Sequence, residues 1–265
     1  MMRVFVEGIG LLGPGLENWS AGREILAGRA DYLPQPTQMR VCDMLPAAER
    51  RRAGVPIKLA LAVGLEALQQ AGRETGTAAT VFTSSGGDND NVHAINTILA
   101  TAPREVSPTR FHNSVHNAAA GYWCIAAGSR EPSTSLCAHD ASFAAGLLES
   151  AVQVAVDRAV VALIAYDHPY PQPLHAVRPI TAAFGLALLL TPERSETSLA
   201  MLELDWQPGP VTETMMQEPA LEALRLGVPV ARGLPVLAAL AGSAATQVDL
   251  AYLTDSHLRV RVSPC

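Results

Sequence analysis

The chain has 265 residues, of which 49% are hydrophobic and 17% charged, so it can bury a substantial core. A formal net charge of −6 and a pI near 5.6 argue against a nucleic-acid partner, which needs a clustered positive surface. The apolar stretches are shorter than the roughly 20 residues of a membrane helix, so no membrane span is predicted. The N-terminus becomes polar and glycine-rich too soon for a signal sequence, which makes the cytoplasm the expected location.

The first predicted elements follow from hydrophobic periodicity and glycine. Residues 3–7 alternate as a strand does, and Gly8-Ile9-Gly10 indicates a tight loop after it. Residues 19–28 favour a short helix, and residues 57–72 carry apolar side chains at helical spacing. The β-branched run 80–83 predicts a second strand, which ends at Ser84-Ser85-Gly86-Gly87.

The remaining elements alternate in type along the chain. Helices are expected at 91–100, 117–127 and 140–156, an extended segment at 132–138, and a strand buried on both faces at 159–165. Beyond a proline-rich loop, we expect a strand pair at 185–190 and 199–204, short helices at 221–226 and 234–240, and a hairpin at 250–262. This alternation predicts an α/β fold.

Four widely spaced cysteines, Cys42, Cys124, Cys137 and Cys265, form no CxxC pair. Neither a disulfide framework nor a zinc site is therefore indicated, and we expect free, mostly buried thiols. The sequence predicts no cofactor and no metal.

The stretch from 107 to 151 contains several motifs in a fixed order. A turn at Ser107-Pro108 precedes Asn117-Ala118-Ala119-Ala120-Gly121, a helix that ends at Gly128, and then Pro132-Ser133 and the strand that ends near His139. This order resembles the β-ketoacyl synthases of the thiolase-like fold, in which the strand delivers a nucleophilic cysteine. The resemblance covers roughly residues 2–204.

The resemblance implies a layered α-β-α fold in a single domain, 1–265. Its N-terminal half, 1–168, would be complete, and its C-terminal half, 174–265, would be reduced. Carried over without a gap, the position of the nucleophile falls on Asp140, and the histidine motifs of the condensing enzymes are absent from the sequence. The resemblance therefore implies a degenerate site with no catalytic residue. We expect Asp140 to cap the helix that follows it.

Cys137 lies three residues before Asp140 and is the rival nucleophile. We interpret it as a buried thiol within the strand. The alternative is a small stand-alone acyl-thioester transferase or hydrolase that uses Cys137 or Asp140.

The resemblance also implies a partner, because ketosynthases dimerise through the strand that precedes the nucleophile. A silent subunit would pair with an active ketosynthase as a chain-length factor and meet the acyl carrier protein through that complex, as in aryl polyene and xanthomonadin-type pigment synthases. The expected interface residues are Asn117, Ala120, Gly121, Ser133, Ser135 and Cys137. The rings of Phe111, Tyr122 and Trp123 are candidates for the end wall of the acyl tunnel, and equally for filling the core of this chain.

Overall fold

The computed structural model describes residues 1–39 and 43–265, so the prediction for Cys42 lies outside the described residues. The described strands are β1 (Met2–Leu12), β2 (Ala79–Thr83), β3 (Ser133–Leu136), β4 (Val161–Asp167), β5 (Phe184–Thr191), β6 (Ala200–Pro208), β7 (Thr246–Leu253) and β8 (Ser256–Pro264). The described helices are α1 (Trp19–Leu26), α2 (Ala47–Arg52), α3 (Val55–Gln70), α4 (Asn89–Leu99), α5 (Pro108–Asn113), α6 (Ala118–Ala127), α7 (Ser142–Asp157), α8 (Leu174–Val177), α9 (Pro219–Gly227) and α10 (Leu234–Ala241), with 3₁₀ helices at His139–Ala141 and Pro229–Gly233.

The described strands form one eight-stranded mixed sheet in the order β3-β2-β4-β5-β1-β6-β8-β7. The pairs of β2 with β3 and with β4 are parallel, and the other pairs are antiparallel. The four-residue strand β3 forms one edge and β7 the other. The loop before α9 covers part of the β7 edge: the amide N–H of Thr214 donates to the carbonyl of Asp249 at 3.0 Å, and the Asp249 N–H donates to Thr214 Oγ1 at 2.9 Å.

Helices cover both faces of the sheet. On one face α3 packs against β1, β4 and β5, and α6 packs beside α3. On the other face α7 packs against β1, β2 and β4, next to the C-terminal helices. Each face has its own cluster of buried apolar side chains. The predicted α/β fold with helical layers on both faces of the sheet is therefore confirmed.

The loop predicted at Gly8-Ile9-Gly10 is wrong, because β1 continues to Leu12. These glycines serve close packing instead. A Cβ atom on Gly8 would lie 2.0 Å from the carbonyl oxygen of Ala67, and one on Gly10 would lie 1.9 Å from that of Val63. Only glycine lets α3 approach the strand this closely.

The predicted pairing of 185–190 with 199–204 is also wrong. Both segments are strands, but they flank β1 on opposite sides, and Phe5 pairs with Thr191 of β5 and with Met201 of β6. The hairpin of β7 with β8 and the helices α9 and α10 agree with the predictions. The division into a complete N-terminal half and a reduced C-terminal half stays a prediction. In the part of the chain that the structure describes, no helix combines the length and apolar character needed to cross a bilayer.

Candidate functional site

The parallel strands β2, β3 and β4 run in the same direction, so their carboxyl ends lie side by side. Ser84 and Ser85 follow β2, Cys137 follows β3, and Asp167 is the last residue of β4. Polar side chains therefore collect at the carboxyl ends of these strands, where ligands of open α/β sheets characteristically bind.

Asp140 lies in the 3₁₀ turn between β3 and α7, and its carboxylate is held by arginines. Arg178 Nη2 donates to Asp140 Oδ1 at 2.9 Å, and Arg232 Nη2 lies 3.6 Å from Oδ2. Partial burial alone would raise the pKa of Asp140. The hydrogen bond from Arg178 and the charges of both arginines outweigh burial, and they hold the pKa below its usual value.

The prediction that Asp140 caps α7 is wrong. The helix begins at Ser142, its N-cap residue is Ala141, and no side chain caps it. The intervening 3₁₀ turn moves Asp140 away from the free N–H groups of the helix, towards the two arginines. Ser142 Oγ instead accepts a hydrogen bond from the Ala138 N–H at 3.1 Å and donates to the His139 carbonyl at 2.8 Å.

A cleft of about 620 Å³ opens beside this junction, lined by His139, Asp140, Arg232, Tyr252 and neighbouring residues. Arg232 extends the ion pairs to Glu213, whose Oε1 accepts from Arg232 Nη1 at 2.9 Å. The carboxylate at the junction is thus part of a network of paired charges. This setting suits a group that fixes the loop and is poor for a nucleophile.

The prediction of a buried Cys137 is wrong, as is its placement within the strand. The strand β3 ends at Leu136, so Cys137 lies just beyond it with an exposed side chain. Its thiol donates to the carbonyl of Ser85 at 3.2 Å. Cys265 is also exposed and Cys124 is half-buried, so burial does not hold for the described cysteines.

The sequence analysis missed a buried carboxylate, Asp167, at the end of β4. It accepts hydrogen bonds from Ser84 Oγ at 3.1 Å, from Ser85 N and Oγ at 2.9 and 2.8 Å, and from Val230 N at 3.1 Å. Complete burial, only partly offset by these donors, raises its pKa to about 6. The available signal was an acidic residue that ends a fully apolar strand.

The expected interface residues lie on or beside β3 and α6, two elements that contact each other. Ser133 is exposed and Ser135 half-buried on the edge strand β3. Asn117 and Gly121 are exposed at the start of α6, whereas Ala120 is buried in the core of this chain. The role of these residues in pairing stays a prediction.

The three aromatic rings occupy different environments. The Phe111 ring is 65% exposed on α5, whereas Tyr122 and Trp123 are each 1% exposed. The hydroxyl of Tyr122 donates to Asn113 Oδ1 at 3.1 Å, and Trp123 packs edge-to-face on Phe82 with ring centroids 6.3 Å apart. Burial of Tyr122 and Trp123 favours the core-filling interpretation for these two rings, and leaves Phe111 available to a partner.

Comparison with solved structures shows a shared fold. A chain of the ketosynthase (ApeO) in complex with its chain length factor (ApeC) from Xenorhabdus doucetiae aligns with a TM-score of 0.73 and 22% identity, covering 99% of this chain and 100% of that one. The ishigamide ketosynthase/chain length factor gives a TM-score of 0.72 at 15% identity, covering 100% and 99% of the two chains. A β-ketoacyl synthase from Burkholderia phymatum gives 0.72 at 12% identity, with full coverage of both chains.

The comparison with curated proteins gives no match. Residues 19–244 match the family described as "Beta-ketoacyl synthase, N-terminal domain". That span is most of the chain and includes β2, β3, β4 and the junction after β3. The protein therefore belongs to the β-ketoacyl synthase family.

Proposed function

We propose that this chain is a non-condensing subunit that pairs with an active β-ketoacyl carrier-protein synthase and helps to set the length of the acyl chain. The observation that carries the proposal is Asp140, held by Arg178 and Arg232 at the junction where the family resemblance expects the nucleophilic cysteine. We assign the complex to a fatty-acid or polyketide-like pathway of the aryl polyene type.

The chemistry of the junction argues against condensation by this chain alone. Acyl transfer from a carrier thioester needs a strong nucleophile, and a thiolate at a helix N-terminus meets this need. A carboxylate paired with two arginines is a weak nucleophile, because the two positive charges stabilise its negative charge. The arginines also keep its pKa low, so it is a poor base at neutral pH.

Pairing is supported by the edge strand β3 and the helices beside it. An unpaired edge strand exposes backbone donors and acceptors that a second sheet can satisfy. Apolar side chains are exposed on the helices that flank β3 on the two faces of the sheet: Ile125 of α6 is 48% exposed, and Val152 and Val156 of α7 are 38% and 72% exposed. The structural relatives include ketosynthase and chain-length-factor assemblies, which are consistent with such a pair.

Control of chain length is assigned to Phe111. Its ring is 65% exposed, so this chain does not need it as core filling. Placed against a partner, a large exposed ring can close the end of an acyl tunnel sterically, because further elongation would require displacement of packed atoms.

Reconstitution tests the proposal. The chain is co-expressed with a candidate ketosynthase partner, and the pair is isolated by size-exclusion chromatography and assayed for elongation of carrier-bound acyl chains. We expect acyl transfer by the pair and none by this chain alone. Pairs that contain Cys137→Ala or Asp140→Asn should keep elongation within about twofold of the unmodified pair.

The exposure of Cys137 favours a second candidate function, a small acyl-thioester transferase that uses this thiol. Mass spectrometry of the isolated chain after incubation with an acyl thioester distinguishes the two. An acyl adduct on Cys137 that turns over would favour the transferase and contradict the silent subunit. A Cys124→Ala variant controls for nonspecific labelling of thiols.

A further inference from the structure

Two carboxylates and an imidazole meet at the carboxyl ends of β2 and β4. Asp88 is the N-cap residue of α4, the helix that follows β2, and Asp90 lies in the first turn of that helix. His168 directly follows β4. One oxygen of each carboxylate and one ring nitrogen of His168 all lie within 4.8 Å of one another. Because β2 and β4 are parallel neighbours, their ends bring these residues together across 78 to 80 positions of sequence.

His168 is the member of this group that lacks a structural explanation. It is 3% exposed, its Nδ1 lies 3.9 Å from Asp90 Oδ2, and its Nε2 has no hydrogen-bond partner among the described residues. Burial lowers the pKa of His168, although the charges of Asp90 and Asp88 and a backbone hydrogen bond to Gly87 oppose the shift. A hydrogen bond that fixes one ring nitrogen leaves the lone pair of the other for a ligand.

The carboxylates keep the capacity to bind a cation. Asp88 is 5% exposed and caps α4, accepting at Oδ1 from the Asn91 N–H at 3.1 Å and at Oδ2 from Asn91 Nδ2 at 2.7 Å. Each of these oxygens has a second lone pair. The Asp90 side chain is 59% exposed, so an ion can reach the group from solvent while the other two ligands stay buried.

We propose that Asp88, Asp90 and His168 form a binding site for a divalent transition-metal ion such as Zn²⁺ or Mn²⁺. Carboxylate oxygens suit hard ions and imidazole suits borderline ones, so a mixed set favours these metals over Mg²⁺ and Ca²⁺. Water would complete the coordination shell. This proposal is independent of the silent-subunit function, because neither Asp140 nor the β3 edge takes part in it.

A bound ion would tie the segment after β2 to the end of β4. Ser85 belongs to that segment, and its carbonyl accepts from the thiol of Cys137, so the ion would also steady the loop after β3. The measurable consequence is metal-dependent thermal stability, since any ligand that binds only the folded state stabilises it.

The test uses the full-length chain without a histidine tag, stripped with EDTA and exchanged into metal-free buffer at pH 7.5. Titration calorimetry with MnCl₂ and with ZnCl₂, followed by metal analysis after gel filtration, should give one ion per chain. At a metal concentration 100 times Kd, the thermal midpoint should rise by about 5–10 °C. Mn²⁺ is the decisive ion, because the exposed thiols of Cys137 and Cys265 compete for Zn²⁺ but hardly for Mn²⁺.

Asp90→Asn is the matched variant, because Asp90 is exposed and its replacement should leave the fold intact. It should weaken Mn²⁺ binding at least about tenfold, which reduces the thermal shift at the same metal concentration to about half or less. Asp31→Asn, the same change at another exposed aspartate, should bind Mn²⁺ as the unmodified chain does. His168→Gln adds a test at the buried ligand. Absence of Mn²⁺ binding by the unmodified chain, or equal Mn²⁺ binding by the Asp90→Asn variant, would overturn the proposal.

Discussion

Replacing Gly121 by Leu should weaken pairing while leaving the fold of this chain intact. Gly121 is exposed on α6, and a Cβ atom added to it would meet nothing within 4 Å. Leu is also a better helix former than Gly, so the isolated variant should be more stable by about 0.5–1 kcal/mol. Any loss of assembly therefore cannot come from misfolding.

The magnitude follows from the volume added to a close contact. Overpacking of a well-packed contact costs about 1–3 kcal/mol, which corresponds to a Kd for the partner that is about 5- to 150-fold weaker. Gly121→Ala adds one methyl group and should keep the gain in helix stability, with a smaller loss of affinity. The two variants thus separate stability from assembly at one position.

Affinity is measured by biolayer interferometry against the immobilised ketosynthase, and stability by urea denaturation of each isolated variant. Ser20→Leu is the control, since Ser20 is exposed on α1, a helix that packs on β1 and α10. Unchanged affinity in Gly121→Leu, alongside unchanged affinity in Ser20→Leu, would remove this part of α6 from the interface.

Three further predictions follow from single side chains. Asp140→Asn should lower the stability of the chain at pH 7 by about 0–1 kcal/mol, since the ion pair with Arg178 is partly exposed. Because the folded-state pKa of Asp140 is lowered, urea titrations should show the full difference above the ordinary value of 3.8 and its loss as the pH falls through the folded-state pKa. Burial raises the folded-state pKa of Asp167 to about 6, so its titration favours folding below about pH 4, and this contribution is lost as the pH rises through about 6. The stability of the unmodified chain relative to Asp167→Asn should therefore fall between pH 4.5 and pH 7. A constant difference would contradict the burial argument. Phe111→Ala should leave the thermal midpoint unchanged and lengthen the products of the assembled pair. Trp123→Ala should instead lower the free energy of unfolding by about 3–5 kcal/mol, because it empties a site in the core. Shortened or unchanged products from an intact Phe111→Ala pair would refute the tunnel assignment.

The periodicity of the sequence predicts the elements well, because helix and strand patterns are local. The helix observed as Val55–Gln70 and the strand observed as Ala79–Thr83 lie within two residues of their predicted bounds. Which strands pair with each other is harder to predict from sequence. The strands β5 and β6 are close in sequence, yet β1, from the start of the chain, lies between them in the sheet. Local patterns carry no information about such long-range pairing.

The same limit applies to the candidate site. The resemblance located the junction, but the role of Asp140 depends on Arg178, 38 positions away, and on Arg232 in the C-terminal segment. A capping pattern looks the same in sequence whether or not a distant arginine competes for the carboxylate. The group formed by Asp88 and His168 is equally invisible in sequence, because only the parallel pairing of β2 with β4 joins them.

The two edges of the sheet differ in a way that limits how large an assembly can grow. At β7 the Thr214 segment already occupies backbone groups of Asp249, whereas β3 forms the opposite edge of the sheet. If two such folds join at β3, the outer edges of the joined sheet are both of the β7 type. A third fold that pairs with β7 would have to displace the Thr214 segment from Asp249. The fold therefore favours closed pairs over open-ended fibres. A single short exposed edge strand, with the other edge partly covered, protects a sheet protein against edge-to-edge aggregation.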